Sequence, residues 1–198
     1  MFESILLLIV ATSLLLGSPG PAPIALAATG ATFGIKKGIP FLLGILSGLI
    51  VVIIGTTVGI ATLFNAFPAV RLTVQIIGAL YILYVAQKIA RAPILVSGNN
   101  SATEPSFVDG FILNLLNPKA YAAFLSLFSQ FIIPLNSQTL SYAVTALICF
   151  AVAIIVDTIW LLLGSILRPL FESAKSARIL RMGFALLMLI AVGFALAF

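Results

Sequence analysis

The sequence predicts an all-α integral membrane protein, with six transmembrane helices in an inverted repeat of 3+3 and with helices one and four broken. Three observations carry that prediction. The chain of 198 residues is 62% hydrophobic and 8% charged, with a mean hydropathy of +1.28, whereas about a quarter of a soluble domain's residues are charged. Its few charges punctuate apolar stretches long enough to cross a bilayer. Gly/Pro-rich interruptions fall inside the first and fourth of those stretches.

The first helix occupies the uncharged run between Glu3 and Lys36 and is interrupted at Gly17-Ser18-Pro19-Gly20-Pro21-Ala22-Pro23. The second runs from about Gly38 to Leu63 and stops at Asn65-Ala66-Phe67-Pro68, and the third covers about Ala69 to Gln87. Lys88 to Ser106, with Pro93, Gly98, Asn99, Asn100 and Pro105, has loop composition. The stretch between Lys119 and Asp157 is too long for one crossing, and Pro134 to Gln138 divides it. The fourth helix is therefore about Phe107 to Ile133 and the fifth about Thr139 to Leu167. Arg168 to Arg181 reads as a basic connector or an amphipathic interfacial piece, and the last helix spans about Met182 to Phe198.

Six spans of about 20 residues use about 120 residues, leaving no room for a separate soluble domain. Residues 1–198 thus form one membrane domain: repeat 1 over about 1–90, a loop over about 91–106, and repeat 2 over about 107–198. A cleaved signal peptide is the rival for the first segment, with Ala25-Leu26-Ala27 resembling a cleavage site. The extreme N-terminus carries Glu3 and no Lys or Arg, the wrong sign for a signal peptide's first region.

Several chemistries are excluded. There is no His, so imidazole metal sites, haem ligation and Ser-His-Asp catalysis are unavailable. The single Cys149 permits neither an intrachain disulfide nor a CxxC motif. The net charge of +5 is dispersed over several loops and makes no nucleic-acid patch. No cofactor is implied, and five acids offer no paired-carboxylate chemistry for an enzyme.

The charges instead set orientation. Lys36 and Lys37, then Lys88 and Arg91, then Arg168, Lys175, Arg178 and Arg181 populate the three odd-numbered loops. By the positive-inside rule those loops are cytoplasmic and both termini lie outside.

Proline within a helix removes a hydrogen bond and clashes with the preceding turn, and in a bilayer the freed backbone groups must find partners in protein or a water-lined cavity. Pro19, Pro21 and Pro23 lie about 20 Å into the first helix, and Asn117-Pro118-Lys119 about 18 Å into the fourth. Matching interruptions in two halves of an inverted repeat point to a transporter's binding site. Kinks that merely serve packing are the plainer alternative.

Ser18-Pro19-Gly20-Pro21, together with Phe107, Gly110, Asn114, Asn117-Pro118-Lys119-Ala120 and Gln130-Phe131, resembles the LysE/RhtB-type amino-acid exporters. Gly78-Ala79-Leu80-Tyr81-Ile82-Leu83-Tyr84 is similar to a segment of that family's third helix. The resemblance spans nearly the whole chain. It implies efflux of amino acids or related small metabolites across a bacterial cytoplasmic (inner) membrane, driven by the proton gradient. Many members carry an acidic residue in the second helix; here Gly44 to Gly59 has none.

Ser18, Pro19, Gly20, Pro21, Asn114, Asn117, Pro118 and Lys119 are the candidate substrate-binding residues. A charge near the bilayer centre costs at least about 2.5–3.5 kcal/mol, so Lys119 needs a partner, a cavity or a substrate. Its expected role is to attract a substrate carboxylate, aided by helix N-termini that restart after Gly20-Pro21 and Pro118. Asp157, the acidic residue inside an apolar run, is a candidate coupling site for protons or the partner of Lys119; a static structural pair is the alternative. Asn114 reads either as a ligand or as interhelical glue. Arg71, Gln75 and Tyr81 are possible cavity residues, Arg71 reading equally as an interfacial anchor. Gly44, Gly48, Gly55 and Gly59 form a small-residue stripe for close packing that could also serve a homo-oligomer. Trp160 reads as packing or lipid contact. A secondary exporter working by alternating access leads; a channel and a structural membrane subunit are the alternatives.

Overall fold

The computed structural model of the protein describes residues 2–59, 66–90, 104–171 and 174–197. Eight α-helices lie among them: α1 (Phe2–Gly17), α2 (Pro21–Phe33), α3 (Ile35–Val58), α4 (Pro68–Ala90), α5 (Phe107–Leu115), α6 (Pro118–Gln130), α7 (Gln138–Ile166) and α8 (Ala174–Ala197). A 3-10 turn, Arg168–Phe171, follows α7.

α3 and α7 are each long and apolar enough to cross a membrane. Two further apolar units are bent pairs, α1 with α2 at 66° and α5 with α6 at 57°. α4 and α8 have 23 and 24 residues, lengths that match a hydrocarbon core of about 30 Å. Large apolar side chains such as Leu43, Ile54, Leu147, Ile155 and Leu186 are exposed, as lipid-facing positions require.

The bends sit where the chain lacks hydrogen-bond donors. α1 ends at Gly17 and α2 restarts at Pro21, so the break itself is Ser18-Pro19-Gly20. Pro21 and Pro23 do not break a helix: they open one, in its first turn, where a missing N–H is harmless. Pro118 likewise begins α6.

α2 and α3 are joined by Gly34 alone, at φ 81°, ψ 174°, backbone that side-chain-bearing residues avoid. Lys36 and Lys37 therefore lie in the first turn of α3, where Lys37 pairs with Glu104 at 2.5 Å. The expected basic connector is shorter than its charges suggest. α8 starts at Ala174, so Lys175, Arg178 and Arg181 are helical, because Lys and Arg are good helix formers whose charge does not end a helix.

Two glycine-mediated crossings hold the helices around the breaks. A Cβ on Gly44 would approach the Phe107 carbonyl carbon to 2.8 Å, and one on Gly48 would approach Phe111 O to 2.7 Å. Gly110 answers from α5, where a Cβ would lie 3.0 Å from Ile45 N. α3 and α5 thus run parallel in backbone contact. α2 and α7 do the same: a Cβ on Gly164 would come within 2.6 Å of Ala27 Cα, and one on Gly30 within 3.0 Å of Ser165 N. Every residue from Pro21 to Thr32 is buried, while α1 buries only Leu8 and Thr12. Of the expected stripe, Gly44 and Gly48 are engaged by α5 of the same chain, and Gly59 ends α3 with φ 105°.

Candidate functional site

At the second break, Pro118 offers no N–H to the Asn114 carbonyl one turn earlier. The Asn117 N–H takes that carbonyl instead, at 3.1 Å. The Asn117 side chain accepts from Lys119 N at 3.1 Å, which caps α6. Lys119 N is then lost to the Leu115 carbonyl, and the Tyr121 hydroxyl donates to it at 2.9 Å. Asn114 donates from Nδ2 to Ile45 O at 3.0 Å, tying α5 to α3. This break is repaired almost wholly by its own residues.

The first break is not. Pro19 denies the Leu15 carbonyl its helical donor, and Ser18 Oγ supplies one at 3.0 Å. Pro21 denies Gly17 O its donor, and the donor comes from α7: Trp160 Nε1–H, at 3.3 Å. The next carbonyl, Ser18 O, accepts from the Lys119 ammonium on α6. Gly20 caps α2 without a side-chain bond, and a Cβ there would lie 2.7 Å from Lys119 Cδ and 2.9 Å from Nζ. The two breaks therefore meet through Lys119.

Beside that meeting point is a small, partly open cleft. Leu16, Ala22, Pro23, Leu49 and Ala120 form its apolar wall, and Asn114, Asn117, Lys119 and Asp157 its polar positions. Asp157 is only 7% exposed, and the Lys119 ammonium bonds the Ser18 carbonyl rather than this carboxylate. Both charges thus face one cavity without neutralising each other by direct contact.

The candidates divide accordingly. Asn114, Asn117, Lys119 and Asp157 share the cleft, Gly20 and Pro21 are buried beside it, and Ser18 and Pro19 are exposed at the break. Tyr81 lies elsewhere: its hydroxyl donates to Asp109 O at 3.2 Å, at the start of α5. The side chains of Arg71 and Gln75 lie outside the described residues. The expected backbone donors are scarce. In the first turn of α2 only Ala22 and Ile24 carry an N–H, and that of Ile24 bonds Gly20 O at 3.0 Å. In α6 the Lys119 and Ala120 N–H groups are taken by Asn117.

Trp160 packs against the core as expected and in addition donates its indole N–H. Its signal was present: it follows Asp157 by three residues, hence on the same helix face, and an indole N–H removed from water needs an acceptor. The apolar wall of Leu16, Leu49 and Ala120 had no distinguishing sequence mark.

An all-α chain with broken helices, and a cation and an anion facing one apolar-walled cleft where the breaks meet, defines a secondary transporter of small molecules. The family model for the LysE type translocators matches residues 13–198. The chain belongs to that family. Over 184 residues, 89% of this chain and 85% of the relative, it is 29% identical to a leucine efflux protein of Klebsiella pneumoniae. It is 27% identical to a leucine efflux protein of Enterobacter sp. (strain 638), over 89% of this chain and 86% of that protein. A leucine efflux protein of Salmonella typhimurium is 29% identical over 89% and 85%. No solved structure matches the chain. The protein is thus a multi-pass small-molecule exporter of the bacterial inner membrane and is not an enzyme.

Proposed function

We propose that the protein exports neutral amino acids with apolar side chains in exchange for protons, by alternating access around the Lys119–Asp157 cleft. The observation that carries this reading is the composition of the cleft, one ammonium and one carboxylate set in an apolar wall. A zwitterion complements it: the substrate carboxylate takes the Lys119 ammonium in a charge-assisted bond, and the substrate ammonium faces Asp157. The apolar side chain rests against Leu16, Leu49 and Ala120. A second ammonium would lack a carboxylate of its own, which disfavours dibasic cargo. The relatives' names, leucine efflux protein, agree with this choice.

Asp157 is the proposed proton carrier, exchanging its proton with each side of the membrane in turn. In this reading α1/α2 and α5/α6 are broken spans one and four of six, in an inverted 3+3 repeat, with both termini periplasmic. The parallel pairings of span one with span five (α2 with α7) and of span two with span four (α3 with α5) support the repeat at the level of whole spans, although α2 is the second half of its span and α5 the first half of its own. The charge bias of the loops supports the orientation.

Vesicles reconstituted with the purified protein test the reading. Radiolabelled leucine flux is expected to saturate and to accelerate under a proton gradient. Asp157→Asn should lose the acceleration, an effect of about tenfold on net export, and should raise KM in leucine exchange at zero gradient without abolishing it. Non-saturating flux, or undiminished acceleration in Asp157→Asn, overturns it.

A further inference from the structure

We infer that Trp160 is a positioning residue for transport: its indole N–H keeps the end of α1 attached to the Asp157-bearing helix while Lys119 releases the neighbouring carbonyl to take a substrate. This inference rests on the transport reading above and adds a residue to it.

Pro21 creates the vacancy. Without its N–H, Gly17 O has no donor within its own helix, and a half-buried carbonyl left unpaired inside a bilayer is costly. Trp160 Nε1 fills that position at 3.3 Å, while Lys119 Nζ fills the adjacent one at Ser18 O. The two donors differ in kind. A substrate carboxylate competes for an ammonium, because a bond between opposite charges is stronger than one from an ammonium to a neutral carbonyl. It has much less pull on a neutral indole N–H that already has an acceptor. Substrate entry therefore releases Ser18 O, just past the end of α1, from Lys119 on α6 and leaves Gly17 O bonded to α7. Asp157 lies one turn before Trp160 on α7, so movement of the helix that bears the carboxylate is passed to the α1/α2 break. Gly17 and Gly20 flank that break and give it freedom to turn.

Two substitutions separate the donor from the ring. Trp160→Phe keeps an aromatic side chain and deletes the N–H. Trp160→His keeps a five-membered ring with an Nε2–H at the same covalent position and deletes the benzo ring. In leucine counterflow measured per folded transporter, Trp160→Phe is expected to lower the maximal rate about fivefold or more with KM changed by less than about twofold, as for a conformational step. Trp160→His is expected to recover most of that rate. Wild-type rates in Trp160→Phe, a loss of folded protein alone, or a His variant as slow as the Phe variant overturn the inference.

Trp160 is the chain's sole tryptophan, so the N–H-sensitive indole band in ultraviolet resonance Raman has one source. A bonded position, unchanged by saturating leucine, is expected; a free N–H refutes the tether even if leucine is not carried. Failure of the cleft reading shows separately, as a Lys119→Met variant that transports like wild type.

Discussion

At the second helix break the chain closes on itself: Asn117 caps α6, its own N–H takes the orphaned Asn114 carbonyl, and Tyr121 reaches back to Leu115. At the first break the chain borrows, since Gly17 O and Ser18 O accept from Trp160 on α7 and Lys119 on α6. Both breaks come from proline and both would be untenable in a bilayer without partners. The difference lies in what can change. A locally capped break keeps its geometry while neighbouring helices move. A break held from two other helices changes geometry when either donor is withdrawn, and one of those donors is the ammonium that a substrate would claim. On the proposed transport reading, the first break is the responsive element and the second the rigid mount for Lys119.

The largest expected effect comes from Lys119→Met, which removes a donor from the first break and the anchor for the substrate together. Leucine flux per folded transporter in vesicles, as kcat/KM, should fall about a hundredfold or more. A variant with unaltered kinetics would dissolve the distinction between the breaks.

Gly20→Ala sharpens it. The added methyl would meet Lys119 Cδ at 2.7 Å and Nζ at 2.9 Å, and the flexible lysine stem yields more readily than the backbone. The ammonium is displaced from its position at Ser18 O, and KM for leucine should rise about threefold to tenfold. Thermal unfolding in detergent should move little. A large drop in stability with unchanged KM would place Gly20 in packing alone.

The smallest effect on transport is expected at the second break. Asn117→Ala deletes a helix cap worth about 1 kcal/mol, which denaturant or thermal melts should detect. Flux should fall by less than in Gly20→Ala, because Lys119 keeps its position on α6. Asn117→Asp, which preserves the accepting oxygen, should restore the cap. If Asn117→Ala impairs transport more than Gly20→Ala, the second break is the responsive one and the assignment is reversed.

Much of this was legible in the chain. Apolar runs between charges marked the helices, and proline marked both breaks. The errors share a cause. Pro23 falls inside the expected interruption, whereas α2 already begins at Pro21, at the restart expected after Gly20-Pro21, and carries Pro23 in its first turn. The charges of Lys175, Arg178 and Arg181 were read as a boundary, whereas helix propensity continued through them. Tyr81 was placed with the cavity from its helix alone, although a helix's rotation is set by what packs on it, and here its hydroxyl faces Asp109.

Residence in the membrane, the helical course of the chain, the positions of its two breaks and its family were determined by the sequence, because each depends on local composition, covalent chemistry or motif. Which carbonyl receives the Lys119 ammonium, which receives the Trp160 indole, and that Asp157 shares their cleft were decided only by tertiary structure. Periodicity places a side chain on a face of its own helix, but the neighbour that face meets depends on how glycine-lined crossings bring separate helices into contact.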